Sequence, residues 1–270
     1  MMHHPNIIIR PATGLDEFQQ CVEIQGAVWG YEDSDIVPRR MFLLAQRIGG
    51  QVIGAFAPDV QGSKMVGFAM ALPAYRDGQT YLHSHMLAVL PAYRNGGLGR
   101  LLKLAQRDDA MARGIERMEW TYDPLEIKNA YLNLTKLGAI SRRYQPDFYG
   151  PSSSPLQGGL PTDRLYAEWW LRSPRVEAVL RGDPLSIPVV ARIAVPHAIT
   201  EWKREPQLRE RARMLQDDNR IALQSAFQRG LAAVGYETDP QGDGIFLLGE
   251  ISQAGIRAYD RSEQTPADIS

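Results

Sequence analysis

The stretch Leu87-Ala-Val-Leu-Pro-Ala-Tyr-Arg-Asn-Gly-Gly-Leu-Gly-Arg100 runs from an apolar strand through a glycine turn into a long amphipathic helix. Such a junction presents backbone N–H groups to an anion. The donors of a helix's first turn have no partner within the helix, and the positive end of its dipole adds to their pull on a phosphate. Gly96, Gly97 and Gly99 carry no Cβ to hold a pyrophosphate away from the main chain. Arg94 and Arg100 place a cation on either side of Asn95 and Leu98. Residues 94–100 therefore read as a phosphate cradle. Two other phosphate loops fit less well. A dinucleotide fingerprint needs a third glycine three residues after Gly99, where Leu102 stands, and no Gly-Lys-Ser/Thr of a P-loop opens the helix.

Outward from the cradle, residues 80–90 form the strand that feeds it. Residues 51–57 and 65–75 alternate as antiparallel strands, and 7–10 read as a short opening strand. Residues 16–28 and 39–48 read as helices, the first turning Phe18, Cys21, Val22 and Ile24 or Ala27 inward, the second ending at Gly49-Gly50. After the cradle the spacing predicts a helix over 98–113 with Leu98, Leu101, Leu102, Ala105 and Ala112 on one face and Gly114 as its C-cap. A strand over 118–122, a helix over 125–137 and a strand from 139 to 144 follow. The Ser-, Gly- and Pro-rich 149–161 segment is a loop before a strand over 164–171. Residues 173–184 read as a connector, followed by strand 187–195, a helix from 206 to about 231, and strands 235–239 and 244–251. This gives a domain over 1–172, a smaller β-α-β-β extension over 173–257 and a disordered tail over 258–270.

The composition narrows the function. Thirty Lys and Arg balance 31 Asp and Glu among 270 residues, so no overall field favours nucleic acid or an anionic membrane. Cys21 stands alone, which excludes an intramolecular disulfide and a multi-cysteine zinc site. It reads as a small buried hydrophobe, with a nucleophile as the alternative. No apolar run approaches the ~18 residues of a membrane span, and no leader is visible at the start. A cytoplasmic protein is expected.

The order Arg94-x-x-Gly97-x-Gly99, after a strand ending Leu87-Ala-Val-x-Pro91, resembles the acyl-CoA loop of the GNAT superfamily of N-acyltransferases. The element order over about residues 7–172 is similar to the layout of that family. The run 81–86, Trp120-Thr-Tyr-Asp-Pro-Leu125 and Pro161-Thr-Asp-Arg164 resemble a subgroup of predicted GNAT acetyltransferases. The resemblance implies an α/β (α+β) fold with a central mixed, mostly antiparallel sheet flanked by helices. It implies that the backbone of Leu87, Ala88 and Val89 meets the pantetheine and thioester, with one N–H as oxyanion donor. It also puts a side-chain base four places before the valine of the Ala-Val pair, which here is His85. An imidazole suits that proton transfer, its ordinary pKa being about 6.5. His83 shares its strand face. A metal held by the two histidines lacks a third ligand, so none is expected.

On the next helix the resemblance implies an early asparagine and a later tyrosine that protonates the departing thiolate. Matching Ala130 and Gly138 puts Leu134 in the tyrosine's place, a departure from the pattern. Tyr131, three residues earlier, is the expected substitute; Tyr144, Tyr149 and water are the others. Asn129 and Asn133 are expected on the pantetheine amides. Asp123 reads as an N-cap, or as a carboxylate for a substrate amine. The acceptor pocket is expected between Trp29, Tyr31 and Asp35 and the 144–159 region, with Trp29, His83, Asp123 and Tyr144 against the substrate. The implied activity transfers an acetyl group from acetyl-CoA, as co-substrate, to the primary amine of a small molecule. Alternatives are another acyl-CoA donor such as succinyl-CoA, favoured by an arginine near the acyl end (Arg142 or Arg143), and a non-catalytic acyl-CoA-binding module. The C-terminal extension is expected either to close over the pocket or to form a homodimer surface.

Overall fold

The computed structural model describes residues 6–31, 35–60, 62–76, 78–183 and 187–253; the expected tail over 258–270 lies outside them. The chain opens with β1 (Ile8–Pro11), α1 (Gly14–Trp29) and α2 (Arg39–Arg47), then runs through a meander of β2 (Gln51–Asp59), β3 (Gly62–Arg76) and β4 (Gln79–Val89). There follow α3 (Leu98–Ala112), β5 (Arg117–Tyr122), α4 (Ile127–Ala130), a π-helical stretch over Tyr131–Lys136, β6 (Tyr144–Gln145) and β7 (Arg164–Trp170). These strands form one sheet in the order β1-β2-β3-β4-β5-β7-β6, antiparallel everywhere except between β4 and β5. It is the mixed, mostly antiparallel sheet that the resemblance implies.

The run from Met65 to Ala71 in β3 is buried throughout because both sheet faces are covered. Phe18, Cys21 and Phe42 from α1 and α2 pack on Phe56, Phe68, Met70, Met86 and Ala88. On the other face Leu98 and Leu102 of α3 pack on Ile53, Ala55, Val66 and Ala69. Each large ring buried this way contributes roughly 1.5–3 kcal/mol. The α3 face is rotated from the one expected: Leu102, Lys103, Gln106 and Ala110 are buried, while Leu101 is 47% exposed.

Two features of β4 shape the site. Met70 pairs with Met86 but Leu72 with His83, so Ser84 and His85 together oppose one residue of β3. This bulge re-aims their side chains. Second, β4 pairs with β5 only at Leu82–Met118 and His83–Glu119. Beyond those pairs the two strands separate.

The C-terminal part comprises α5 (Pro174–Arg181), β8 (Ala191–Val195), α6 (Ile199–Arg204), α7 (Arg209–Gln228), β9 (Leu231–Thr238) and β10 (Gly244–Glu250). Its antiparallel sheet has the order β8-β10-β9. Ser141 and Ala233 exchange backbone hydrogen bonds, as do Ile140 and Glu168, so residues 140–141 link the two sheets. Val195, Ile199, Leu223, Tyr236 and Phe246 lie in one core with Trp120, Leu165 and Trp169. The expected connector over 173–184 contains α5, with Ser173 Oγ accepting from Val176 N, Pro174 in the first turn and Gly182 left-handed at the end. The helix expected over 125–137 is instead one turn of α-helix and a π stretch, and the strand expected from 139 is reduced to isolated bridges before β6. Among the described residues no helix is long and apolar enough to cross a membrane.

Candidate active site

The turn into α3 is built by backbone conformation. Gly97 caps the helix at φ +83°, a left-handed geometry that glycine adopts without steric cost. Asn95, at φ +65°, is of a residue type that tolerates this region. Gly99 is different. A Cβ there would lie 3.7 Å from Leu87 Cδ2, an ordinary contact, so packing does not demand glycine. The bare backbone at Gly99 suits close approach by a ligand. Around the turn, Arg94 Nε donates to Val89 O at 3.0 Å, and Lys128 Nζ reaches Asn95 Oδ1 at 3.3 Å from α4. Arg100 Nε points to Lys136 O at 3.4 Å. Lys128 is a cation beside this turn that the sequence did not single out.

Leu90 gives its N–H to Val66 of β3. By strand alternation the polar backbone groups of Val89 and Leu87 then face the side where β5 has departed. Into this fork opens a cavity of about 490 Å³. Ser84, His85, Met86 and Leu87 line it from β4, Trp120 to Tyr122 from β5, and Asn129 and Asn133 from the helix beyond. Asn133 Oδ1 is held by Trp120 Nε1 at 3.2 Å. The rest of the wall is formed by Trp29, Tyr31 and Asp35 and a strap over residues 149–164. Trp29 and Tyr31 stack at 5.4 Å. Ser153 donates from N and Oγ to Asp35 Oδ2 at 3.0 and 2.5 Å, and Ser154 Oγ donates to Trp29 O at 2.7 Å. The Ser153 bonds hold the Asp35 carboxyl below its ordinary pKa.

Four titratable groups define the chemistry. The His85 ring is accessible at the cavity wall, yet the protein around it desolvates it enough to lower its pKa. Lys103 of α3 is 1% exposed, and burial drives its pKa well below that of an ordinary lysine. Its Nζ donates to Ser84 Oγ at 2.7 Å and lies 3.6 Å from the Trp120 ring centroid. Asp123 accepts from Lys203 Nζ of α6 at 2.8 Å, and Lys203 also reaches Glu126 Oε1 at 2.9 Å. Burial opposes the Asp123 charge, but Lys203 and Arg164 outweigh it and keep the carboxyl below its usual range. Among the described residues no group of three or more His, Cys, Asp or Glu is placed to hold a metal ion.

Several expected positions need correction. Asp123 is not the N-cap of α4: its Oδ1 accepts from Leu125 N at 2.8 Å in a turn before the helix, and its Oδ2 belongs to Lys203. Tyr144 lies outside the cavity wall, its hydroxyl donating to Asp163 at 2.5 Å. Tyr131 is also outside, packed beside the core with Lys136 over its ring, because it stands two residues from both Asn129 and Asn133 and so turns to the opposite side of the helix, toward Leu134. Leu134 is in the core. His83 stands beside His85, with ring centroids 6.3 Å apart, but off the cavity wall; burial lowers its pKa to about 4. Arg142 and Arg143 are engaged on the sheet face, Arg142 with Glu168 and Arg143 with Glu119 and Glu168, and do not line the cavity. The sequence missed Lys103, Glu126, Lys128 and Lys203.

A glycine-rich helix start thus lies beside two parallel strands that part over a cavity. Residues 18–131 match the family model described as acetyltransferase (GNAT) family. Among solved structures the chain is similar to the ribosomal-protein-S18-alanine N-acetyltransferase of Escherichia coli, at 16% identity over 60% of this chain and 92% of that one (TM-score 0.46). It is similar to NAA60 of Arabidopsis thaliana, solved with a bisubstrate analogue, at 15% identity over 61% and 99% (TM-score 0.47). A GNAT family acetyltransferase of Elizabethkingia anophelis with acetyl-CoA bound shares 14% identity over 62% and 99% (TM-score 0.43). No curated protein matches the sequence.

Proposed function

We propose that this chain transfers the acetyl group of acetyl-CoA to a primary amine of a small molecule, by direct attack of the amine on the bound thioester. The observation that carries the reading is the fork: β4 and β5 separate after two residue pairs, and the cavity between them opens beside a helix start suited to phosphate. The pyrophosphate rests on the N–H groups of residues 95–100, with Arg94, Arg100 and Lys128 balancing its charge. The pantetheine follows the free edge of β4 past Val89, Ala88 and Leu87, and Asn129 and Asn133 offer amide partners from the opposite wall. A β4 N–H stabilises the oxyanion. The acceptor arrives as an ammonium ion. Neutral His85 takes that proton and passes it to solvent, after which juxtaposition of amine and thioester supplies much of the rate. A strapped cavity of about 490 Å³ with Trp29, Tyr31 and Asp35 in its wall supports a small amine as acceptor.

One observation favours a second reading, a donor whose acyl group bears a carboxylate. Arg164 lines the cavity, where Arg142 and Arg143 do not. The test is thiol release from acetyl-CoA and succinyl-CoA across a panel of primary amines, with the amide product identified by mass. Release with acetyl-CoA supports the first reading. Preference for succinyl-CoA, abolished by Arg164→Gln, supports the second. Saturable binding without release for any amine makes the chain a binding module.

A further inference from the structure

A lysine rarely lies fully buried without a carboxylate, because the cost of its charge is not offset. Lys103 does so in the wall of the catalytic cavity. Its recorded partners are Ser84 Oγ and the face of Trp120, one on each arm of the fork. The β4 bulge places Ser84, whose hydroxyl donates to Gln106 Oε1 at 2.9 Å, so its oxygen is the acceptor toward Lys103. A neutral amine held this way uses one N–H on Ser84 and turns the other to the ring. Its lone pair is left for the cavity. The other titratable groups of the wall stand on separate elements: Tyr31 and Asp35 before α2, His85 on β4, Tyr122 on β5, Asp123 and Glu126 after it, Tyr149 in the strap, where its hydroxyl meets Thr121 Oγ1 at 3.2 Å, and Arg164 on β7. No tyrosine of the 127–136 helix reaches the wall.

We propose that Lys103 is a catalytic residue that carries a proton from the attacking nitrogen to the departing sulfur. The proposal rests on the acyltransferase reading above. Nitrogen and sulfur are bonded to the same carbon in the tetrahedral intermediate, so one amine reaches both. As the C–N bond forms, a proton on nitrogen moves to the Nζ lone pair. The C–S bond then breaks with its electron pair on sulfur, and the new ammonium returns the proton there. Amide, CoA thiol and neutral Lys103 result, with nothing else consumed. The proton that the acceptor loses before attack is a separate one and leaves through His85. Burial keeps Lys103 neutral at the start, and the Trp120 face steadies the transient ammonium.

The experiment compares the intact protein with Lys103→Met and Lys103→Gln, each saturated with free CoA or with desulfo-CoA. Methionine is similar in length and apolar, so that variant removes the buried amine without opening a large void; thermal melts check both folds. The ultraviolet difference between the CoA and desulfo-CoA complexes reports the thiolate as pH is raised. An amine in contact with sulfur predicts that bound CoA ionises at lower pH in the wild type than in either variant. Identical titrations with CoA still bound overturn the proposal alone, whereas a wild type that binds no CoA removes it together with the acyltransferase reading. With an accepted amine, kcat falls about a hundredfold or more in both variants while KM for acetyl-CoA stays within about twofold. Unchanged kcat overturns the role, as does acetyl-Lys103 accumulating with acetyl-CoA, which makes the amine an acceptor.

Discussion

Replacing Lys203 by methionine removes the counter-ion that the C-terminal extension supplies to the cavity wall. Lys203 Nζ lies 2.8 Å from Asp123 and 2.9 Å from Glu126, with side chains 5%, 9% and 46% exposed. Glu126 can turn to water, but Asp123 cannot. In the wild type the depressed Asp123 pKa gives stability that is present above about pH 3.9 and lost as pH falls through the folded value. The raised Lys203 pKa gives stability present below about pH 10.4 and lost as pH rises through the folded value. In the variant, buried Asp123 ionises less readily than in the unfolded chain, so the sign reverses and the loss grows with pH. Protonation of Asp123 caps that loss at about 4 kcal/mol at pH 7 and about 1.5 kcal/mol at pH 5. Its remaining hydrogen bond from Leu125 N and the field of Arg164 soften it, giving about 3 kcal/mol at pH 7. That corresponds to a fall in Tm of about 6–12 °C, read by calorimetry or circular dichroism. Adding Asp123→Asn restores most of it. A pH 7 loss under about 0.5 kcal/mol, or one that does not shrink at pH 5, refutes the reasoning.

Other outcomes follow from the site. His85→Gln lowers kcat/KM by about a hundredfold and removes an ascending limb that in the wild type levels off below pH 6.5, because desolvation lowers this pKa; a change within about twofold at every pH eliminates the base. Tyr144→Phe leaves kcat/KM within about twofold while costing about 1.5–3 kcal/mol in denaturant melts, since its hydroxyl serves buried Asp163 and not the substrate. Gly99→Glu keeps Tm within a few degrees, because a Cβ has room beside Leu87, yet weakens acetyl-CoA binding about tenfold or more by putting a carboxylate in the cradle.

The turn into α3 is legible in the sequence because its signals are local: glycines for a special turn and an apolar strand before a periodic helix. The meander and the mixed, mostly antiparallel sheet follow from alternation and from the resemblance. What stayed hidden depends on long-range placement. Lys103 reads as one more cation on an amphipathic helix until the bulge at Ser84 and Trp120 are known to meet it. Lys203 is 80 residues from Asp123 in sequence, within a charged run that looks like a solvated face. Tyr131 and Tyr144 are tyrosines near the expected place, but the helix turns one toward the core and Asp163 claims the other. The helix over Pro174–Arg181 had a readable Ser-Pro start and glycine stop that a connector reading passed over.

The most direct test of the account is calorimetric titration of acetyl-CoA into the wild type and Gly99→Glu. The account predicts saturable micromolar binding by the wild type, lost or strongly weakened in a variant that melts at nearly the same temperature. A folded wild type that takes up no acetyl-CoA, or a variant that binds it equally well, contradicts the cradle and the acyl transfer built on it.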